Sequence, residues 1–187
     1  FIEEGYLVPL IPKRPGTQID VSSVGISHGE YNQGELQDAT MKVTWGALKE
    51  AMDFAGDRKK WLVFCAGKQN AEQAAEVLNS FGLSATFVHD GVSAKDRTTR
   101  IDGFRHGFFR AICNNNILTT GFDVPDIDCI VVLRKTLSPG LWVQMLGRGT
   151  RPVYHYGYDL SVKENRLAAI YYGGKPNCLV LDFAPNT

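Results

Sequence analysis

Five apolar runs, each only a few residues long, set the tightest limit on what this chain can fold into. They are "WLVFC" (61–65), "SATFVH" (84–89), "FRAICN" (109–114), "DCIVVL" (128–133) and "NCLVLDF" (177–183). Each is bounded by glycine, charged or polar residues, and all but one are too continuous in apolar character to be half-exposed strands. Such runs read as strands buried on both faces. The stretches between several of them have helical periodicity. "MKVTWGALKEAMDFA" carries Val43, Ala47, Leu48 and Ala51 on one face, and "NAEQAAEVLNSFG" carries Ala71, Ala74, Ala75 and Leu78, with Gly82 as its C-cap. "SAKDRTTRIDGFRHG" predicts a helix with Ser93 as N-cap and Ala94, Thr98, Ile101 and Phe104 facing inward. Buried strands alternating with amphipathic helices predict an α/β domain, three layers with a mostly parallel sheet between helices. Ligands of such sheets sit beyond the carboxyl ends of the strands.

Two stretches fall outside this pattern. Residues 1–40 include "PKRPGTQIDVSSVGISHGEYNQGE", rich in Gly, Ser and Pro, and read as a strand near Leu7–Leu10 followed by an extended connector. Tyr154 to Gly174 is tyrosine-rich and weakly patterned, and reads as an insertion before the last strand. The domain proper is then 41–187.

The 187 residues balance 20 Lys and Arg against 20 Asp and Glu, so a phosphate-bearing partner must be met by a few placed groups and not by a strong field. No apolar run reaches membrane-spanning length. "FIEEGYLVPL" lacks a basic n-region and does not read as a secretion signal; a chain beginning with Phe reads as part of a longer one. Cys65, Cys113, Cys129 and Cys178 lie in or at the start of apolar runs without CxxC spacing, and read as buried thiols of a cytoplasmic protein, with zinc or disulfides as the competing reading and no metal ligand assigned.

A self-sufficient nucleotide hydrolase of this architecture needs the phosphate loop GxxxxGK[ST]. "CAGKQ" has Leu62 in place of the first glycine and Gln69 in place of Ser/Thr; "YYGGKPN" fails the same tests at Ala169 and Pro176. No acidic pair follows a strand as a magnesium site would require. What the chain does offer is "QMLGRGTRP" (144–152). Gln144, Arg148 and Arg151 stand at i, i+4 and i+7, one helical face, with Trp142, Met145 and Leu146 opposite. Two guanidinium forks and an amide suit a cluster of phosphate oxygens; a solvated surface face is the competing reading. Gly147 and Gly149 are poor helix formers, and a close approach by another backbone or a ligand would account for them.

Three further clusters follow strands. In "NNNILTTGFDVPDID" (114–128), Thr119, Thr120 and Gly121 can bond a phosphate and Asp123 a ribose hydroxyl, or the stretch is an Asx-type turn. In "FCAGKQNAE", Ala66, Gly67 and Lys68 lead into a helix N-terminus, an anion site. "VHDGVSAKDR" places His89 and Gly91 in a strand-to-helix loop, where a lone His is more often structural.

In this order the clusters resemble the second RecA-like domain of superfamily 2 helicases and translocases of DEAD/DEAH type. "WLVFCAGKQNAE" looks like motif IV, "HDGVSAKDRTTRIDGF" like the segment after it, "ILTTGFDVPDID" like motif V and "QMLGRGTR" like motif VI. "EEGYLVPL", "LTTGFDVPDIDCIVVLR" and "CLVLDFAPN" further resemble bacterial RadD-like DNA repair helicases and restriction-type translocases. The resemblance implies the C-terminal half of an ATP-dependent helicase or translocase acting on DNA, with RNA as the other candidate. It implies ATP and Mg²⁺ held mainly by a first RecA-like domain. Arg151 then matches the arginine finger, Arg148 its neighbour at the phosphates, and Gln144, Gly121 and Asp123 are nucleotide-side residues. Ala66, Gly67, Lys68, His89, Gly91, Asn114, Thr119 and Thr120 match positions that grip a nucleic-acid backbone. Asn115, Asn116 and the tyrosine-rich stretch depart from the family pattern. The alternatives are a non-catalytic nucleic-acid-binding or docking module that keeps only the fold, and an unrelated α/β nucleotide-binding enzyme.

Overall fold

The computed structural model describes residues 1–117 and 122–186. In chain order the elements are β1 (Leu10–Lys13), β2 (Ile26–Ser27), β3 (Glu30–Tyr31), α1 (Gln33–Met41), α2 (Thr44–Ala55), β4 (Trp61–Phe64) and α3 (Lys68–Ser80). They continue with β5 (Ala85–Val88), α4 (Ala94–Arg105), β6 (Ala111–Asn114), β7 (Cys129–Val132), α5 (Pro139–Gly147), α6 (Lys163–Gly173) and β8 (Cys178–Asp182). Six strands form one sheet in the order β1-β8-β7-β4-β6-β5, every neighbouring pair parallel. β2 and β3 make a separate antiparallel pair.

Register explains the burial. Trp61 stands beside Ala111 and Cys129, and Leu62 beside Ile112 and Ile130. Trp61, Val63, Cys113, Val131 and Leu181 therefore point to one face, where α2 and α3 bring Ala47, Leu48, Ala51, Ala71, Ala74 and Leu78. Leu62, Phe64, Ile112, Ile130 and Val180 point to the other, against Phe104 of α4 and Met145 of α5. Each fully buried aliphatic or aromatic side chain here contributes about 1.5–3 kcal/mol, which is why the strands read as unbroken apolar runs. All four cysteines are buried and unpaired, and burial together with the neighbouring Cys113 pushes the Cys65 thiol well above its ordinary range.

The structure departs from the sequence reading in four places. The first strand is Leu10–Lys13, not Leu7–Leu10, because pairing with β8 starts at Leu10 and Cys178. It joins the main sheet, so the first forty residues are not simply a connector. Within the supposed extended stretch, α1 starts at Gln33, capped by Asn32, whose side chain accepts from the N–H of Glu35. Ser93 caps α4 as expected, but Ala94 and Thr98 are exposed and Phe104 is the buried residue of that helix. The helix touches the sheet at its β5 and β6 edge, and the Arg100 guanidinium lies 4.5 Å from the Phe87 ring centre. Finally, the tyrosine-rich stretch contains α6. Arg166 holds α6 in place: its Nε donates to Glu4 O at 2.8 Å, and its guanidinium lies over Tyr6.

One connection shapes everything that follows. β6 and β7 lie on opposite sides of β4, so residues 115–128 must cross it. The described end of that crossing, 122–128, is neither helix nor strand, yet it buries Phe122, Val124 and Ile127 on the second face.

Gly149 tests this packing. A Cβ there would meet Cys178 Sγ at 2.6 Å and Ile130 Cδ1 at 2.8 Å. Gly149→Ala should therefore destabilise the fold by about 1–3 kcal/mol, as overpacking does, and lower the melting temperature by about 2–4 °C per kcal/mol. Gly147, where a Cβ has open space, should tolerate alanine without such a loss. Equal melting temperatures for the two variants would refute this account.

Candidate functional site

A crossing without regular structure must find partners for its backbone polar groups elsewhere. Here four cationic side chains supply them or anchor the segment. Arg148 Nη1 donates to Phe122 O at 2.7 Å. Arg151 Nη1 pairs with Asp123 Oδ1 at 3.2 Å. Lys175 Nζ donates to Pro125 O at 2.6 Å and also to Arg151 O at 2.6 Å. Lys60 Nζ pairs with Asp126 Oδ2 at 2.9 Å. The Asp128 carboxylate then accepts from the N–H groups of Lys59 and Lys60, at 3.0 and 2.8 Å. Residues 122–128 are thus fixed along most of their length.

The arginines reach the site in a way the sequence did not disclose. Ser138 caps α5 and Pro139 opens it, but the helix ends at Gly147. Arg148 and Arg151 are past its end, so the single helical face expected for Gln144, Arg148 and Arg151 is a correction. The turn tightens instead: the N–H groups of Arg148, Gly149 and Thr150 bond to the carbonyls of Met145, Leu146 and Gly147, each three residues back. Beyond this turn the chain leaves the helix direction, yet Arg148 and Arg151 still line the same cleft. Gly149 sits between them, pressed onto Ile130 and Cys178. The close approach is to side chains of β7 and β8, not to a backbone or a ligand.

Gln144, Gly147, Arg148, Arg151 and Asp123 line one open cleft of about 410 Å³, floored by Phe122, Val124 and Ile127. Two guanidinium groups and an amide face one carboxylate. That donor set suits the outer oxygens of a polyphosphate, while a single exposed carboxylate is a poor magnesium cage. Both partners of the Arg151–Asp123 pair are about half exposed, so the pair is worth at most about 1 kcal/mol. Arg151 is held in place yet easily redirected.

The second expected group lies at the carboxyl ends of β4 and β5. Lys68 Nζ is 2.6 Å from Asp90 Oδ1. His89 is buried, stacked on Phe87, 2.9 Å from Glu72 Oε1, and accepts from Gly91 N through Nδ1 at 3.0 Å. Its imidazole shapes the loop and presents little surface. Ala66 and Asn114 are buried, and Asn114 Nδ2 donates to Val63 O at 3.0 Å. Gln37 of α1 covers the α3 N-terminus, its Oε1 accepting from Asn70 N at 3.1 Å and lying where a side chain on Gly67 would go. Lys68 and Gly91 remain on the surface. Thr119, Thr120 and Gly121 lie outside the described residues. Lys175, Lys60 and Gln37 were missed by sequence reasoning. The first two are lysines just ahead of buried strands, and only that placement hints at them.

Residues 45–152 match the family described as "Helicase conserved C-terminal domain". A Schizosaccharomyces pombe protein described as the mitochondrial ATP-dependent helicase irc3 is 34% identical over 135 residues, 71% of this chain and 19% of that protein. Nucleolar RNA helicase 2-A of Xenopus laevis is 29% identical over 98 residues, 52% of this chain and 13% of that one. Among solved structures, a Vibrio vulnificus YJ016 fragment described as an HsdR subunit of a type I restriction enzyme superposes with a TM-score of 0.67 at 20% identity. It covers 96% of this chain and 32% of that one. The chain spans less than a third of the length of the curated relatives it matches. No helix among the described residues is long and apolar enough to cross a membrane.

Burial lowers the Lys175 ammonium from 10.5 to about 8. Between those two values the unfolded chain holds more of this proton than the folded one, so this residue's contribution to stability rises with pH across that window. Wild type should gain on Lys175→Met in denaturant titrations as pH is raised from about 8 to about 10.5. A difference that stays flat would show that the ammonium is not desolvated.

Proposed function

Because this chain belongs to the helicase conserved C-terminal domain family, we propose that it is the second RecA-like half of an ATP-dependent helicase or translocase and supplies the arginine finger. The observation that carries the reading is the convergence of Arg151, Arg148 and Gln144 on one cleft, in a chain without a phosphate loop of its own.

ATP supplies the phosphoanhydride whose terminal phosphoryl group gathers charge as it transfers. Arg151 is suited to meet that charge: its guanidinium is half exposed, and its present partner Asp123 releases it at little cost. Arg148 is less free to swing, since one guanidinium nitrogen serves Phe122 O; it orders the cleft wall beside Arg151. Gln144, on the last turn of α5, positions the group between them. The site has one carboxylate, so Mg²⁺ and most of the triphosphate belong to a first RecA-like domain. Closure of the two domains and reopening after hydrolysis would move the nucleic-acid track. Lys68, Gly91, Thr119 and Thr120 are proposed to grip the backbone without reading bases. The motif likeness to DNA repair helicases favours DNA, and unpaired buried cysteines fit a reducing cytoplasm.

In the full-length protein, Arg151→Ala should leave ATP binding largely intact and lower nucleic-acid-stimulated hydrolysis by about 10³–10⁵, the range for supplied fingers. Arg151→Lys should not rescue it, because an ammonium lacks the planar fork. Turnover within about a factor of two of wild type for both variants, as kcat with saturating DNA, would sink the finger reading. Stimulation by RNA and not by DNA would overturn the choice of DNA.

The isolated 187-residue chain should release no phosphate from Mg-ATP above background. It should bind single-stranded DNA weakly, with little sequence preference and a shallow salt slope. Phosphate-release assays and fluorescence anisotropy at several salt concentrations check both. Steady turnover by the fragment, or tight sequence-dependent binding, would count against the proposal.

A further inference from the structure

Lys175 stands outside every recognised motif, yet it is almost fully buried, with 3% of its surface exposed. Desolvating an ammonium is costly unless its protons are used. This one donates to two main-chain carbonyls from segments far apart in sequence, Pro125 O and Arg151 O, both at 2.6 Å. One belongs to the crossing between β6 and β7, the other to the residue assigned as the finger. Neither carbonyl lies in a helix or strand.

The backbone around Lys175 is itself constrained. Gly174 closes α6 in the left-handed conformation at φ 82°, Pro176 has its own φ fixed and restricts Lys175 before it, and β8 begins at Cys178. The side chain therefore springs from a fixed point at the end of the sheet. We propose that Lys175 is a positioning residue: its buried ammonium ties the main chain of Arg151 to that of Pro125 and so sets where the Arg151 guanidinium is carried. The Arg151–Asp123 pair is then free to exchange partners while the backbone under it stays put. A hydrocarbon of the same length would fill the space but leave both carbonyls without their donor.

The inference rests on the reading of Arg151 as the finger, and the test separates the two. Full-length Lys175→Met, Lys175→Gln, Arg151→Ala and the double variant Lys175→Met/Arg151→Ala would be purified. Hydrolysis of ATP with saturating single-stranded DNA would be measured beside melting temperature. Lys175→Met should lower kcat by about 10- to 100-fold, the scale of a misplaced catalytic group, with KM for ATP changed by less than about threefold. Lys175→Gln, which keeps two N–H donors on a shorter stem, should lose less. The double variant should be no slower than Arg151→Ala alone, because a residue that acts through Arg151 has nothing to position once it is gone. Wild-type kcat in Lys175→Met overturns the proposal. So does a loss that multiplies in full with that of Arg151→Ala, which would mark Lys175 as a stability residue of the fold. If Arg151→Ala itself turns over like wild type, the finger reading fails, whatever Lys175→Met does.

Discussion

The crossing from β6 to β7 is the constraint on which the rest of the arrangement depends. It passes the central strand β4 on a buried face, where water cannot satisfy a bare backbone. Its described part has no regular structure, so its backbone carbonyls take donors from side chains brought from other parts of the chain, and its carboxylates pair with cations or backbone N–H groups there. Lys60 comes from the start of β4, Arg148 and Arg151 from beyond α5, and Lys175 from the approach to β8. The demands of burial thus gather a cationic set around one acidic loop, and two of those cations, Arg148 and Arg151, also line the cleft.

The two arginines divide this work. Arg148 is partly spent on the backbone of Phe122, while the Arg151 side chain pairs with the exposed Asp123 carboxylate and its carbonyl accepts from Lys175. Rigidity is placed in the main chain and freedom in the guanidinium. On the proposed finger reading, a group that must meet charge appearing only during reaction benefits from that division: its origin is fixed, and its tip costs little to redirect. Gly149 contributes by letting the turn lie flat on Ile130 and Cys178.

Much of the fold was legible because burial on both faces leaves a plain mark: runs such as "WLVFC" and "DCIVVL" have little else they can be. Gly82, with φ 86°, and the cap Ser93 stand where their chemistry predicts. What the sequence concealed was set by tertiary contacts. α1 has weak periodicity and is held by its packing on α3 and by Asn32. α6 reads as a polar, tyrosine-rich stretch because its anchor is the buried Arg166 and not an apolar stripe. The grouping of Gln144, Arg148 and Arg151 was readable from spacing, though a tightened turn and not a helix delivers it. Lys175 was invisible, since nothing local distinguishes a lysine that will be buried from one that will be solvated.

The sheet order also bears on how the chain is born. β1 is the earliest strand of the six to be synthesised, and its neighbour in the sheet, β8, is the last. Until β8 arrives, β1 lacks the strand it pairs with, and residues 1–8 gain their contact with Arg166 only shortly before, when α6 is made. The middle strands can assemble during this interval, but the outer border stays open and the arginine cleft stays unbraced, since Lys175 directly precedes β8. Contacts between such distant segments form slowly, so an unpaired strand border stays exposed from the time the middle strands emerge until β8 is made. The interval in which it is vulnerable to aggregation or to proteases is therefore written into the topology, and it ends with the same event that completes the site.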